Sequence, residues 1–300
     1  MIRDRASVCL AQEAPVRRKD LIGARLPVSS TDKFERDLMG HQRLGKMPAY
    51  RLLPEIIRYI VDGGAPTEAV ADQITEFGRE ALKFALKDDV FIEALWLLIR
   101  LPQAAAANNA PRALAEIGID GATPSSVSEI LFQYDRAVER VQRRIHQGST
   151  DLGEIARRAG LSALAEGMQS NLPSLWSPGA DDVRASLAGL RGTEKFAALA
   201  QSFYANFVER VIHYYVDRNL HNMIGPGRIA GSVHDVETFD GAVRRHCNES
   251  ALIMRTFARD WLGKNHYRDG KAISRADTRA FSSHAVEKIR TELALRKGKP

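Results

Sequence analysis

Six of the eight histidines in the 300-residue chain fall between positions 213 and 284: His213, His221, His234, His246, His266 and His284. Asp217, Asp235, Cys247 and Asp260 lie in the same stretch. Imidazole nitrogens and carboxylate oxygens are the donors that a zinc or dinuclear site recruits from neighbouring helices. His213, His234, Asp235, His246 and Asp260 are therefore the candidate metal ligands. No HExxH, CxxC or HxxxH spacing joins them into a set. His213 and His221 share a helix face but stand two turns apart, about 12 Å by helical rise, too far to chelate one ion. On spacing alone the sequence assigns the chain no metal and no other cofactor.

The adjacent His234 and Asp235 resemble the metal-binding dipeptide of HD-type phosphohydrolases, in which another His upstream and an Asp downstream complete the site. The resemblance gives those parts to His213 or His221 and to Asp260, and it implies a metal-dependent hydrolase. A competing reading needs no metal: behind Gly231-Ser232, Asp235 is a first-turn acid that suits a helix N-terminus. His246 and Cys247 sit on an apolar seam. Neighbouring helix positions point about 100° apart, so the two cannot face each other as a nucleophile and its base. A buried, hydrogen-bonded His and a Cys acting as a small hydrophobe account for them.

The positive charge is concentrated at one end. Residues 264–300 carry ten Lys or Arg against four acids, a net +6 that equals the charge of the whole chain. Lys288, Arg290, Arg296, Lys297 and Lys299 are its candidate contacts with nucleic acid or an acidic partner. Basic residues near a helix C-terminus also suit the helix dipole without any partner. A second nucleic-acid signal lies at residues 151–170, where Asp151–Ser162 (DLGEIARRAGLS) resembles the first helix and turn of a helix-turn-helix. Glu166 then stands where that motif wants an apolar residue, and few side chains are placed to reach base edges. Without a second helix, Ile155, Ala159, Leu164 and Met168 simply face a core. Gly225-Pro226-Gly227-Arg228 lacks a phosphate-loop frame and reads as a connector. Tyr204, Tyr215 and Tyr267 are read as exposed rings that could stack bases, though no basic interleaving accompanies them.

The elements that would position these residues are helices almost throughout. Tyr50, Leu53, Ile56, Ile57 and Ile60 recur at helical spacing, and Val70, Ile74, Phe77, Ala81 and Phe84 form a second stripe. Asp88-Asp89 caps a run over Val90–Leu101, broken by Glu93 and Arg100, that reads as a helix buried on most sides. Asn109 and Pro111 open a short helix that ends at Gly118. Pro124 starts a long amphipathic helix whose Ile130, Tyr134 and Val138 face inward. Asp151 with Glu154 is a capping-box-like start for the next. Thr193 begins a helix continuing to about His221. Val236, Phe239, Val243, His246, Ser250, Ile253, Phe257 and Trp261 predict one continuous seam. Ser274, with Asp277 three later, starts the final basic helix around Phe281, Ala285, Ile289 and Leu293.

These readings predict an all-α chain of about ten or more helices, a multi-helix bundle or irregular stack of helical hairpins. Residues 1–48 read as an irregular arm, 49–170 and 193–300 as helical subdomains, and 171–192 as a soft boundary between them. At 44% apolar and 27% charged residues the composition is globular. No apolar run reaches the roughly 20 residues that span a bilayer, so no membrane partner is expected. Arg3, Asp4 and Arg5 precede no apolar signal core, and two cysteines make no disulfide framework, so the expectation is a cytoplasmic protein, with a bacterial source. Nothing assembles a nucleophile, a base and an oxyanion site. The leading expectation is a non-catalytic interaction or scaffold subunit whose partner is another protein. A nucleic-acid-binding module and an HD-type hydrolase are the alternatives.

Overall fold

The computed structural model describes residues 48–62, 67–119, 124–145, 150–173, 178–223, 233–269 and 272–297. Residues 1–47, most of the expected N-terminal arm, and the Gly225–Arg228 connector lie outside them. Among the described residues a 3-10 turn, Pro48–Leu52, leads into eleven α-helices. They are α1 (Leu53–Asp62), α2 (Thr67–Ala85), α3 (Asp89–Ala105), α4 (Ala110–Glu116), α5 (Val127–Arg144) and α6 (Asp151–Gln169). α7 (Ala180–Gly189), α8 (Thr193–Met223), α9 (Val233–Ser250), α10 (Leu252–Asp269) and α11 (Arg275–Lys297) follow. The chain is an all-α multi-helix bundle, as its periodicity predicts.

α3 is the hub. Every residue from Val90 to Ile99 is buried, and the helix packs against α4, α5, α6, α7 and α11. Its start is set by Asp88, whose carboxylate accepts from the Val90 and Phe91 amides at 2.8 and 3.2 Å. The same carboxylate accepts a hydrogen bond from the Thr150 hydroxyl. Thr150 in turn caps α6, accepting from the Gly153 amide at 2.9 Å. Two helix N-termini, 62 residues apart in sequence, are thus tied to one relay of cap groups.

α6 shows small residues to α5. Gly160 lies directly on Tyr134, so close that any Cβ there would strike the phenol. Tyr134 is fully buried, and its hydroxyl donates to the Ala94 carbonyl of α3 at 2.9 Å. Three helices therefore meet at a point that only glycine permits.

α11 closes the bundle. The Trp96 indole donates to the Ile273 carbonyl at 2.9 Å, just before the helix begins. Ser274 and Asp277 then form the predicted cap, with the Asp277 carboxylate accepting from the Ser274 amide and hydroxyl at 2.8 and 2.7 Å. Phe281 is buried in a ring cluster with Trp261, Phe257 and Phe196, at centroid distances of 4.7, 5.1 and 6.4 Å. One continuous set of buried apolar residues runs from Leu53 to Ile289. Within the expected soft boundary, α7 buries Val183 and Leu187, and its Ser186 hydroxyl donates to the Met168 carbonyl at 2.8 Å.

Several local expectations are corrected. Phe84 is 38% exposed, with the Lys87 ammonium 5.5 Å from its ring, while Ala85 takes the buried place beside it. α5 starts at Val127 rather than Pro124, because the Ser126 hydroxyl caps it by accepting from the Glu129 amide at 3.2 Å. The predicted single seam is two helices, broken at Ala251. There the Ser250 hydroxyl donates to the Cys247 carbonyl at 2.9 Å, a back-bond of the kind that bends helices. The helix-turn-helix likeness also fails: Asp151–Gln169 is one unbroken helix, and Gly160, read as a turn residue, is the contact for Tyr134.

Candidate functional site

A groove of about 810 Å³ opens where α6, α8 and α9 meet. α8 supplies Asn206, Arg210, His213 and Asp217, which recur every three or four residues and so share a face. α6 supplies Asp151, Glu154, Arg158, Ser162 and Glu166 at the same spacing, and α9 adds Arg244 and Asn248. α6 and α8 run antiparallel, since Tyr214 meets Asp151, Arg210 meets Ser162 and Ser202 meets Glu166. A smaller hollow of about 220 Å³ begins at Glu166 and Ser202 and extends toward Asn171 and Lys195. Across the helix from the groove, Ala156, Ala159, Ala163 and Leu164 anchor α6 in the core, and Phe207, Val208, Val211 and Ile212 anchor α8.

Most of the groove's charges are answered within it. Glu154 accepts from Arg157 at 2.8 Å and from Arg158 at 2.7 Å. Burial works to raise its pKa, but the two arginines outweigh it and hold the carboxyl below its ordinary value. Arg244 pairs with Glu209 at 3.2 Å. Asp151, 8% exposed, accepts from the Tyr214 hydroxyl, while Arg218 stands 3.8 Å from the carboxylate and 4.0 Å from the Tyr214 ring centroid. Desolvation, helped by that hydrogen bond, pushes the Tyr214 phenol up to about 12. The His213 Nδ1 lies 3.7 Å from Asp240.

Arg210 differs. One terminal nitrogen donates to the Ser162 hydroxyl at 2.8 Å. Its Nε is buried without a hydrogen-bond partner, and no carboxylate among the described residues forms an ion pair with it. Burial lowers its pKa, with neighbouring Glu209 opposing the shift.

Of the candidate metal ligands whose side chains are described, His213 alone lines the groove. His246 faces Glu249 of its own helix at 3.2 Å, and Asp260 lies exposed beside Arg259 at 3.6 Å. Among the described residues no three His, Cys, Asp or Glu come together as a metal-binding group. The side chains of His234 and Asp235 lie outside the described residues. Cys247 is fully buried, and desolvation raises its thiol well above the ordinary value, which suits a core residue and not a nucleophile.

Two arginines of the basic end, Arg275 and Arg279, are woven into the fold. Arg275 lies 3.7 Å from the Trp96 ring centroid and grips both oxygens of buried Glu93, one of them at 2.7 Å. Arg279 donates to the Leu86 carbonyl and pairs with Asp89 at 2.7 Å. Arg290 pairs with Glu287 at 2.6 Å, and Lys288 is exposed on the same helix. The side chains of Arg296, Lys297 and Lys299 lie outside the described residues. Tyr204 and Tyr215, expected to be exposed, are 3% and 4% exposed and belong to the core, while the Tyr267 side chain is not among those described.

The groove itself went unseen in the sequence, although the spacing of Asn206, Arg210, His213 and Asp217 was a signal for it. A polar stripe says which helix face is uncovered by apolar contacts, but not which neighbours wall it in. No protein-family model matches the chain, and neither does a curated protein or a solved structure. No helix among the described residues is long and apolar enough to cross a membrane.

Proposed function

We propose that the chain is a non-catalytic interaction subunit of a bacterial cytoplasmic assembly, and that it docks a segment of another protein along the α6–α8–α9 groove. The carrying observation is the groove's length and polarity. From Asp151 to Glu166 its wall runs sixteen residues of one helix, about 22 Å by helical rise, before the smaller hollow extends it. An elongated polar groove on three long helices suits an extended or helical segment better than a compact small molecule. Its walls are stiff because their opposite faces are core. Low cysteine content favours the cytoplasm.

The nucleic-acid reading draws less support. The groove is lined by five acids against three arginines, a poor surface for a polyanion, and Arg275 and Arg279 of the basic end are held by Glu93 and Asp89. The HD-type reading rests on His234 and Asp235 as read from sequence.

A photo-crosslinking residue placed at Asn206 or Asn248 in the groove, and at exposed Phe132 outside it, tests the proposal in native extract. The expected result is one partner crosslinked from both groove positions and not from position 132. No adduct at the groove, or equal labelling at all three positions, contradicts it.

A further inference from the structure

We infer that Arg210 is the anchor of a carboxylate subsite, taking an aspartate or glutamate side chain of the docked segment. The inference rests on the docking reading for the source of that carboxylate. The geometry of the subsite belongs to this chain alone.

A guanidinium presents five N–H donors in a planar fork that matches a carboxylate with two parallel hydrogen bonds. Each of the other groove arginines already has its carboxylate: Arg158 has Glu154 and Arg244 has Glu209. Arg210 has only a neutral hydroxyl, Ser162, on one terminal nitrogen. Its Nε–H is out of water and without an acceptor. A buried donor left in that state costs about 1–3 kcal/mol, a cost removed when the guanidinium turns toward an acceptor arriving in the groove. Burial has also stripped the cation of part of its hydration, as the lowered pKa records, so a matching anion gains more there than at an exposed arginine.

The neighbours select the anion. Glu209 is adjacent in the chain, and Glu166 lies one helical turn from Ser162 on α6. Both act electrostatically on Arg210, as do Arg158 and Arg244, whose own charges are answered by Glu154 and Glu209. A phosphate dianion would face Glu209 and Glu166, whereas a single planar carboxylate engages the fork and carries half the charge past them. The other acids of the groove then suit cationic or hydrogen-bonding groups flanking that carboxylate.

The test uses the full chain labelled with 15N at arginine Nε, the Arg210 signal being assigned by its loss in Arg210→Lys. N-acetyl-glutamate amide is titrated against N-acetyl-glutamine amide and inorganic phosphate. The expected result is a saturable downfield shift of the Arg210 Nε–H with the glutamate probe only. No shift, an equal shift with the glutamine probe, or a larger one with phosphate overturns the inference. Affinity for the partner crosslinked at Asn206 separates the two claims. Loss of about tenfold or more in Arg210→Lys, with an unchanged melting temperature, supports the anchor. Full affinity in that variant removes the anchor and leaves docking intact. A saturating Arg210 shift with no groove crosslink removes docking and leaves the subsite.

Discussion

Arg275 and Arg210 are both half-buried arginines on long helices, and they have opposite surroundings. Arg275 belongs to the most basic stretch of the chain, yet it stacks on Trp96 and is neutralised by both oxygens of Glu93. Its hydrogen bonds to Glu93 raise its pKa. Arg210 lies in the part of the chain whose charges sum to zero, yet it has a neutral hydroxyl and no carboxylate, its Nε lacks an acceptor, and burial lowers its pKa. Formal charge counted along a sequence therefore says little about charge available to a ligand. Availability depends on what packing leaves unanswered: Arg275 and Arg279 of the basic end are used for closure, while Arg210 in the neutral part keeps a donor unanswered.

If the basic end is structural, breaking its core should do more harm than removing its charge. Phe281→Ala empties the centre of the Trp261–Phe257–Phe196 cluster and should lower stability by about 3–5 kcal/mol in urea unfolding. Arg275→Ala leaves Glu93 buried without its cation. Because Arg275 is itself 55% exposed, the loss should be smaller than for a fully buried pair, about 2 kcal/mol. A loss below the error of the measurement would make the clamp an ordinary surface pair.

The groove side of the comparison can be tested by pH. Tyr214 keeps its proton to about 12 in the folded chain, whereas an unfolded tyrosine releases it at about 10. Between those values the unfolded state binds fewer protons, so the stability Tyr214 contributes is whole below pH 10 and is lost as pH rises toward 12. Tyr214→Phe should flatten that alkaline limb while leaving neutral-pH melting less affected than Arg275→Ala does. An unchanged limb would break the Tyr214–Asp151 assignment. The smallest effect belongs to Lys288→Gln combined with Arg290→Gln, expected within about 0.5 kcal/mol of wild type because both side chains are exposed.

What the sequence made legible was the chemistry that acts over a few residues. Asp88, Asn109 and the Ser274–Asp277 pair announced their helix starts because a side-chain oxygen three residues from an amide has little else to do. Gly118, at φ +82°, announced a helix end for the same local reason. The buried run from Val90 to Leu101 was visible because it is apolar on every face except at Glu93 and Arg100. Non-local contacts were hidden. Gly160 looked like a turn until Tyr134 of another helix was seen against it. Tyr204 and Tyr215 carry hydroxyls and read as surface residues, but their rings fill the core. The groove needed three helices to be placed together before Arg210 could be distinguished from its paired neighbours. His213 was singled out beforehand for metal chemistry; it lines the groove beside Asp240 and not in a ligand cluster.

The reading turns on Arg210 as the open cation, against Arg275 and Arg279 of the basic end, which Glu93 and Asp89 hold. It is tested most directly by the affinity of the groove-crosslinked partner for three forms of the full chain: wild type, Arg210→Met, and Lys288→Gln with Arg290→Gln. The expected result is a loss of about tenfold or more for Arg210→Met and about twofold at most for the double variant. The reverse order, with the double variant weakened and Arg210→Met binding as wild type does, would contradict it.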